Sequence, residues 1–437
     1  MKIAVIGSGI SGMGAAFALK DKYDVTLYEA EGRFGGHANT QTVDMDGTSI
    51  DVDTGFIVYN HRNYPNLVAL FDHLGVETKW SDMSFGVSLL GGGFEYACDN
   101  IDKLFAQRRN ALKPGFFRFL KEIRRFHETA PAQLDRGDLD HISLGDWTSR
   151  EGYSQWFRSR FILPMGGAIW STPIREMMDF PAKNFVSFFK NHDLMTGLDP
   201  AQRWRTVEGG SISYVEKLIS SLGSRAVCNA QIRCVGRSSG KPRLTFADGS
   251  EATFDHVILA THAPTSARLL QGQSDVERHI LSQFRVSKNK AILHSDPSLM
   301  PKRKKVWSSW NFLTDETSDD PMRPAPVTYW MNRLQSIPKD TPLFVSLNPS
   351  RLPEPDLVHA TFDYDHPIFG AETFEAQRKV DGIQGQGGVW YAGAWLGYGF
   401  HEDGLRSGLR VASALGAAPD WLGEPNEPFK TYLDAAE

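Results

Sequence analysis

Cysteine is scarce in this chain, with three cysteines among 437 residues. Cys98, Cys228 and Cys234 form no C-x-x-C pair, and three cysteines cannot all pair with one another. Neither a disulfide framework nor a cysteine-rich metal site is therefore expected. The 13 histidines show no ligand spacing such as H-E-x-x-H, so no metal is predicted. This composition favours a reducing cytoplasm.

The chain also lacks a strong charge and a long apolar run. Its 47 lysines and arginines against 52 aspartates and glutamates give a formal net charge of −5, the wrong sign for a general nucleic-acid binder. No apolar run reaches the ~18 residues of a membrane-spanning helix, so none is predicted. The glycines near the N-terminus suit a folded strand and turn better than an export signal.

The N-terminal segment has the pattern of a strand, a glycine turn, a helix and a second strand. Residues 2–6 (KIAVI) are the predicted first strand and lead into G-S-G-I-S-G. Gly7 permits a tight turn, Gly9 lets the backbone approach a pyrophosphate, and Gly12 lets the helix pack on the strand. Free N–H groups at the helix start attract phosphate, and Glu29 is placed to accept a hydrogen bond from a ribose hydroxyl. These features predict a dinucleotide site.

The residues after the second strand extend this pattern. Glu29, Arg33, Gly35, Gly36 and His37 follow the order E-x-x-x-R-x-G-G-[RNH]. This order resembles that of the flavin amine oxidase superfamily, which includes phytoene desaturases and protoporphyrinogen oxidases. The resemblance implies that the paired glycines let the backbone pass close to the phosphate and ribityl chain of FAD, with the arginine bringing positive charge near.

The C-terminal region carries a second part of the resemblance. Residues 389–393 (VWYAG), and Gly404 with the four residues after it (GLRSG), resemble the closing h-h-h-A-G and G-x-x-S-G of the superfamily. The resemblance implies a helix that begins near Gly404 and points its N-terminus at the flavin. The superfamily often has an acidic residue after A-G that holds the ribityl chain. This chain has Ala394 there, and Glu402 or Asp403 is expected to replace it.

The resemblance implies FAD as the cofactor, held without a covalent bond because no cysteine lies near the closing motif. Residues 51–57 (DVDTGFI) resemble the segment that lies against the flavin ring, and Ile232 stands where a β-branched residue meets the adenine. The residues predicted to contact FAD are Gly7, Gly9, Ile10, Ser11, Gly12, Glu29, Ala30, Arg33, Gly35, Gly36, His37, Gly55, Phe56, Ile57, Ile232, Gly393, Asp403, Gly404 and Leu405.

The implied fold class is α/β and amine-oxidase-like, with a Rossmann-like FAD-binding domain, discontinuous in sequence, and an interleaved α+β substrate domain. The FAD-binding domain is assigned to residues 1–80, 205–275 and 385–437, and the substrate domain to 81–204 and 276–384 with a helical insertion at about 100–200. Breaks in the helices of the insertion are expected at Pro114, Pro131, Pro164 and Pro181, and a strand is expected over 226–235.

Four further segments occur in a characteristic order, namely 204–211 (WRTVEGGS), 293–296 (LHSD), 307–312 (WSSWNF) and 328–333 (TYWMNR). They resemble the bacterial flavoproteins found with cyclopropane-type fatty acyl phospholipid methyltransferases, members of which desaturate methylated acyl chains. The resemblance implies dehydrogenation of a long apolar substrate, a methyl-branched unsaturated acyl chain of a phospholipid, by hydride transfer to flavin N5. Because only one G-x-G-x-x-G is present, electrons are expected to leave to oxygen, a quinone or a carrier rather than to arrive from NAD(P)H.

The residues between the closing glycines are bulky and apolar, and they supply the catalytic candidates. His401 is the first candidate for the base that removes a proton, Glu402 the second, and Tyr59 is added to them. The alternative for His401 is that it only packs on, or hydrogen-bonds to, the flavin. The predicted substrate-pocket residues are Asn60, Trp395 and Tyr398.

Two other functions remain open at this stage. One is an amine oxidase, which the superfamily and the aromatic residues favour, and the other is a flavoprotein that binds or isomerises lipid without net redox change. Lys290 lies loosely where amine oxidases carry a flavin-linked lysine.

One stretch of the predicted helical insertion is strongly basic. Residues 103–126 contain eight lysines and arginines and one glutamate, with phenylalanines at helical spacing. Such a helix can lie on anionic lipid, and 302–305 (KRKK) could add to the same patch. An ordinary solvated face over a core stripe explains the pattern equally well. The expected location is therefore cytoplasmic, with peripheral contact to the inner face of the membrane as an option.

Overall fold

The computed structural model describes residues 1–45, 47–171, 173–192, 194–195, 203–238, 240–315 and 325–422. Its strands are β1 (Lys2–Ile6), β2 (Asp24–Tyr28), β3 (Thr40–Met45), β4 (Thr48–Asp53), β5 (Tyr59–Asn60), β6 (Thr78–Ser81), β7 (Phe85–Leu89), β8 (Phe94–Ala97), β9 (Trp204–Val207), β10 (Ala226–Val227), β11 (Ile232–Ser238), β12 (Lys241–Phe246), β13 (Glu251–Thr253), β14 (His256–Leu259), β15 (Arg285–His294), β16 (Trp310–Leu313), β17 (Val327–Trp330), β18 (Phe344–Leu347), β19 (Val358–Ile368) and β20 (Val389–Tyr391). Its α-helices are α1 (Ile10–Leu19), α2 (Pro65–Leu74), α3 (Ile101–Leu104), α4 (Pro114–Asp135), α5 (Leu144–Arg150), α6 (Gln155–Phe157), α7 (Leu163–Trp170), α8 (Ile174–Met178), α9 (Ala182–Asn191), α10 (Ile212–Leu222), α11 (Ala263–Leu269), α12 (Asp275–Leu281), α13 (Met331–Leu334), α14 (Ala371–Val380) and α15 (His401–Ala414).

A parallel five-stranded sheet carries the N-terminal glycine turn. Its order is β10-β2-β1-β14-β20, and each neighbouring pair is parallel. β1 is buried from Ile3 to Ile6, which fits its run of β-branched residues with helices on both sides of the sheet. This sheet with the α1 crossover is the Rossmann-like unit, and the α/β fold class predicted from the sequence is confirmed.

The closing motif lies against the opening one. Helix α15 packs along α1 so closely that a Cβ on Gly408 would stand 2.1 Å from the carbonyl oxygen of Ser11. Only glycine permits this approach, because Cβ atoms essentially never come within 3.0 Å of another atom. The opening and closing glycine motifs therefore meet where α1 and α15 pack together.

A second, seven-stranded sheet has the order β19-β15-β18-β17-β16-β7-β8, in which β16 and β7 are parallel and the other neighbours antiparallel. Helices α4 to α9 contribute most of an aromatic core that also includes β7 and β8. The strands of the two sheets come from the segments predicted for the two domains, while the domain boundaries themselves remain a prediction.

Two proline breaks predicted in the helical insertion are wrong. Pro131 lies inside α4, whose buried face of Phe116, Phe119 and Phe126 holds the helix together through packing. Pro164 is the second residue of α7. The helix is not interrupted there, because α7 follows the π-helical turn at Arg158–Ile162 without a gap. The carbonyl of Arg160, which a proline four residues later cannot serve, accepts a hydrogen bond from the Tyr96 hydroxyl at 2.6 Å.

Two other boundaries also differ from the sequence prediction. The strand expected over 226–235 is divided between β10 and β11, which belong to different sheets, because the N–H groups of Asn229 and Ala230 bond to the carbonyls of Glu31 and Glu29. Helix α15 begins at His401, three residues before Gly404. The first turn of that helix therefore contains all the acidic residues of the closing motif.

Among the described residues, no helix is long and apolar enough to cross a membrane. In that same part of the chain, no three histidine, cysteine, aspartate or glutamate side chains are grouped so that they could hold a metal ion.

Buried histidines should make the stability of the protein strongly dependent on pH. Burial lowers the pKa of His127, His192, His294 and His366 to about 4 and that of His401 to about 3. Because these folded values lie below the ordinary 6.5, their stabilising contribution is present above pH 6.5 and is lost as pH falls towards 4. Each histidine adds up to about 1.4 kcal/mol per pH unit to this slope.

Urea unfolding measured between pH 7 and pH 4.5 tests this expectation. The free energy of unfolding should fall on acidification, and His294→Gln should reduce the slope by about one proton. His279, which is exposed, supplies the matched control, since His279→Gln should leave the slope unchanged. A pH-independent stability over this range would contradict the burial of these imidazoles.

Candidate active site

The glycine turn after β1 leaves an open space at its centre. No atom lies within 4 Å of the position that a Cβ on Gly9 would occupy, whereas a Cβ on Gly12 would stand 1.9 Å from the carbonyl oxygen of Gly7. Gly9 is the N-cap of α1, and no side chain caps that helix. The first N–H groups of α1 are thus available to an anion. Gly36 lies beside this space, its Cβ position 3.1 Å from the Cα of Gly9.

Glu29 holds the glycine turn from the end of β2. Its Oε2 accepts hydrogen bonds from the backbone N–H of Ser8 at 2.8 Å and from the Ser8 hydroxyl at 2.6 Å, and its Oε1 accepts one from the N–H of Glu31 at 3.0 Å. The sequence predicted a ribose contact for Glu29 but did not single out Ser8. The serine also receives the N–H of Gly35, so it joins the two glycine motifs.

The remaining predicted cofactor segments lie around the same turn. Arg33 donates to the carbonyl of Gly36 at 2.8 Å, and the N–H of Phe56 donates to the carbonyl of His37 at 2.7 Å. Ile232 lies two residues after Ala230, whose N–H donates to the backbone carbonyl of Glu29 at 2.7 Å. The structure therefore brings together segments that are separated by up to about two hundred residues.

The Asp403 carboxylate is engaged within the closing motif. Its Oδ2 accepts the N–H groups of Tyr398 and Phe400, both at 3.0 Å, and its Oδ1 pairs with Arg406 at 2.6 Å. Burial raises the pKa of this carboxyl group although Arg406 and the two N–H donors oppose the rise. Asp403 thus shapes the loop before α15. Residue 394 is an alanine, so no acidic side chain is present at that position for a ribityl contact.

Glu402 reaches across to the start of α2. Its carboxylate accepts the N–H groups of Asn66 and Leu67, each at 3.0 Å, and the Asn66 side-chain amide. The N-cap of α2, Tyr64, has no side-chain cap of its own, so Glu402 supplies the cap from another part of the chain. Burial raises the pKa of Glu402 to about 7 despite these donors.

His401 is held between two aromatic residues. Its ring stacks on Phe56 with 3.9 Å between centroids, and its Nε2 lies 2.5 Å from the hydroxyl of Tyr214. Burial lowers the pKa of His401 to about 3, so the imidazole is neutral near pH 7. A group of so low a pKa is a weak proton acceptor, and Nε2 is already engaged in a hydrogen bond with Tyr214.

A narrow cleft lies where α15, α9 and the segment before α2 meet. Phe188, Tyr398 and Phe400 form its aromatic wall, with the rings of Phe188 and Phe400 5.1 Å apart. His192 stacks on Phe188 at 3.8 Å, and Glu402 also lines the cleft. Its volume of about 10 Å³ holds roughly one water, so a larger ligand enters only when the rings move.

Other predicted site residues lie elsewhere. Tyr59 and Asn60 are buried in β5 and do not line the cleft. Trp395 is a core residue whose indole N–H donates to the carbonyl of Thr261 at 3.0 Å. Lys290 is on the surface, paired with Asp363 at 3.0 Å, which excludes it as the counterpart of a flavin-linked lysine.

Sequence reasoning missed several residues of the cleft. Asn63, Tyr64, Asn191 and His192 line it but carry no local motif. The pair at 63–64 lies more than a hundred residues from the pair at 191–192, and the two meet where the Asn63 side-chain amide donates to the carbonyl of Asn191 at 3.1 Å. No spacing within the sequence signals such a meeting.

The glycine turn fits a dinucleotide with a pyrophosphate. The open space at Gly9, the uncapped N-terminus of α1 and the closely apposed Gly36 form a cradle that a side chain would fill. A sequence model of flavin-containing amine oxidoreductases matches residues 10–324, well over half of the chain. The chain belongs to the flavin-containing amine oxidoreductase family. Members of this family bind FAD.

The curated relatives that match this chain differ from it strongly in sequence. A putative flavin-containing monoamine oxidase, AofH, of Mycobacterium tuberculosis (strain H37Rv) is 24% identical over 262 residues, which cover 59% of this chain and 56% of AofH. The chain thus spans about half the length of this curated relative.

Two solved structures share the whole fold. A putrescine oxidase bound to putrescine has a TM-score of 0.67 at 18% identity, with 95% of this chain and 99% of that chain covered. A CLA-producing fatty acid isomerase from P. acnes has a TM-score of 0.68 at 14% identity, with 95% of this chain and 98% of that chain covered. At these identities the likeness concerns the fold alone.

The residues of the glycine turn and the closing motif would hold the cofactor. When bound, FAD would supply a two-electron acceptor. The free N–H groups of α1 would bind its pyrophosphate, and the N-terminus of α15 would favour negative charge beside the ring. Asp403 keeps the 398–400 backbone in place, and the aromatic wall leaves the cleft room for about one water.

Proposed function

We propose that the protein dehydrogenates a long apolar substrate, a methyl-branched unsaturated acyl chain of a phospholipid. The observation that carries the proposal is the cleft, whose wall of Phe188, Tyr398 and Phe400 is aromatic and whose two carboxylates are already engaged by protein donors. The subgroup of flavoproteins found with fatty acyl phospholipid methyltransferases, which the sequence resembles, has this class of substrate.

The state of the carboxylates argues for an apolar substrate over an amine. A buried ammonium group requires a counter-ion or full hydrogen bonding to offset its loss of hydration. Asp403 pairs with Arg406, and Glu402 caps α2, so neither offers an unshared negative charge to a cation. An amine oxidase remains the second candidate, since Tyr398 and Phe400 could face a cation with their rings and named amine oxidases share the family.

The chemistry requires a carbon that tolerates developing positive charge. A saturated chain is a poor hydride donor, whereas an allylic carbon next to a methyl branch delocalises the charge over the alkene. Loss of hydride from that carbon to FAD and of a proton from the neighbouring carbon leaves a conjugated diene. The two electrons then leave to oxygen, a quinone or a protein carrier.

Glu402 is the better placed of the two proton acceptors. It lines the cleft, and its pKa of about 7 matches a group that takes a proton near neutral pH. His401, with a pKa of about 3 and a bond to Tyr214, is suited instead to hold Phe56 and the start of α15 in place. We therefore assign proton removal to Glu402.

The function can be tested by mixing the purified, FAD-loaded protein with a dispersed phospholipid in the absence of oxygen. A chain with a methyl branch beside a double bond should bleach the flavin absorbance and yield a diene. The saturated methyl-branched chain is the matched control, because it lacks an allylic C–H and should leave the flavin oxidised.

The other outcomes would overturn the proposal. Bleaching by members of a panel of primary and secondary amines, with peroxide formed in air and no response to the lipid, would establish an amine oxidase. A shifted but unbleached spectrum, with a moved double bond in the recovered lipid, would establish an isomerase.

A further inference from the structure

One face of the helical layer exposes large apolar side chains among cations. Ile101 is 65% exposed, Leu112 85% and Phe117 51%, which makes Leu112 the most exposed large apolar side chain of the described residues. We call residues 101–124, together with 302–305, the basic apolar face. A few scattered exposed apolar residues are ordinary, whereas a group of them in one place marks an interaction site.

Phe105 links the segments that carry Ile101 and Phe117. The ring of Phe105 lies 6.2 Å from that of Phe117, and the N–H of Phe105 bonds to the carbonyl of Ile101 at 3.0 Å. Leu112 directly precedes Lys113, the N-cap of α4, and Phe117 lies in the first turn of that helix. The three exposed apolar residues therefore lie on α3, on the connection to α4 and on the first turn of α4.

The structure joins the two basic segments that are far apart in sequence. Asp102 forms ion pairs with both Arg108 and Lys305, so the segment 302–305 lies beside α3. Lys113 and Lys121 are also exposed, and among the described residues neither has a carboxylate within ion-pair distance. The cations thus surround the exposed apolar group.

The distribution of charged residues along α4 is opposite to the one that the helix dipole favours. Cations near a helix N-terminus are unfavourable because of the helix dipole, yet Lys113 is the N-cap and the first turn contains no acidic residue. The acidic residues of the outer face, Glu128 and Asp135, come only in the second half. Positive potential is therefore concentrated at one end of the helix, next to Leu112 and Phe117.

We propose that the basic apolar face docks the protein on the surface of an anionic phospholipid bilayer. Phosphate headgroups complement the cations, and Leu112 and Phe117 insert among the acyl chains. A nucleic acid would complement the cations but offers no apolar layer for these side chains. The inference goes beyond the proposed function and does not depend on it, although Phe188 of the cleft wall belongs to α9, which packs on α4.

Sedimentation with vesicles tests the docking surface on the full FAD-loaded protein. Binding should be strong to vesicles that contain phosphatidylglycerol and at least about tenfold weaker to pure phosphatidylcholine, and salt should reduce it. Leu112→Ser/Phe117→Ser should lower the affinity for anionic vesicles by about tenfold. Lys113→Glu/Lys121→Glu should lower it further and weaken the dependence on salt.

A matched pair on another surface controls for general effects. Val276 is 58% exposed and Arg278 lies beside it on α12, so Val276→Ser/Arg278→Glu changes similar side chains in the other half of the molecule and should leave vesicle binding unchanged. Flavin content and thermal unfolding should stay at wild-type values in every variant.

Equal binding of wild type and both test variants would overturn the proposal. Binding to a DNA duplex that Leu112→Ser/Phe117→Ser does not affect, without binding to vesicles, would overturn it in favour of a polyanion site.

Discussion

Gly9→Ala is expected to give a folded protein that has lost its FAD. The backbone of Gly9 has φ −62° and ψ 173°, which alanine adopts freely, and no atom lies within 4 Å of the position of the new methyl group. The stability of the apoprotein should therefore stay at the wild-type value. The methyl group would instead fill the space predicted for the pyrophosphate and lower FAD affinity by roughly 100-fold.

Two measurements on purified protein check this result. The ratio of flavin to protein absorbance reports occupancy, and titration of the apoprotein with FAD, followed by quenching of flavin fluorescence, reports affinity. Gly12→Ala is the comparison, since its methyl group would meet the carbonyl oxygen of Gly7 at 1.9 Å. That variant should lose about 3 kcal/mol of unfolding free energy whether or not FAD is present. Full FAD affinity in Gly9→Ala would show that the pyrophosphate does not pass over Gly9.

Glu402→Ala should produce the second large effect, a loss of stability combined with a loss of activity. The substitution leaves the N–H groups of Asn66 and Leu67 buried without an acceptor and removes the cap of α2. We expect the free energy of unfolding to fall by about 3 kcal/mol at pH 5. If Glu402 accepts the substrate proton, flavin reduction should slow by about 100-fold or more in Glu402→Gln as well.

The pH dependence of this effect has a definite sign. Burial raises the pKa of Glu402 from 4.5 to about 7, so the folded state binds this proton more tightly than the unfolded state does. Its contribution to stability is complete below pH 4.5 and is lost as pH rises through 7. The difference in unfolding free energy between wild type and Glu402→Gln should therefore shift by about 3 kcal/mol in favour of the variant between pH 4.5 and pH 8.

Asn66→Ala separates the two roles of Glu402. It removes the side-chain amide that donates to the carboxylate but keeps both backbone donors and the carboxylate itself. Flavin reduction should stay within a few-fold of wild type in Asn66→Ala, while Glu402→Gln is slow. Equal rates in wild type and Glu402→Gln would exclude Glu402 as the proton acceptor and leave its role as a helix cap.

The cofactor segments could be predicted because their requirements are local. Gly7, Gly9 and Gly12 belong to one glycine turn. Gly12 is needed because a Cβ there would meet the carbonyl oxygen of Gly7, and Gly9 is needed because it leaves open space at the start of α1. The start of α15 was placed three residues too late, since the N–H groups that Asp403 caps belong to a loop that carries no periodic pattern. Side-chain caps of this kind depend on rotamers that spacing does not reveal.

The substrate side of the site could not be predicted in the same way. Of the three expected pocket residues, Tyr398 lines the cleft, whereas Trp395 is in the core and Asn60 is buried in β5. None of the three side chains carries a charge, so the sequence does not distinguish a residue of the core from one of the cleft. The direction of each side chain follows from how α9 and α2 pack on the loop before α15.

The sequence by itself determined the dinucleotide turn, the FAD cofactor and the superfamily, because a glycine spacing specifies its local backbone and that backbone admits a pyrophosphate. Only the tertiary structure decided that Glu402 caps α2 with a pKa near 7, that His401 is a neutral partner of Tyr214, and that 302–305 lies beside α3. Burial and long-range contact set these properties, and both arise when distant segments pack together.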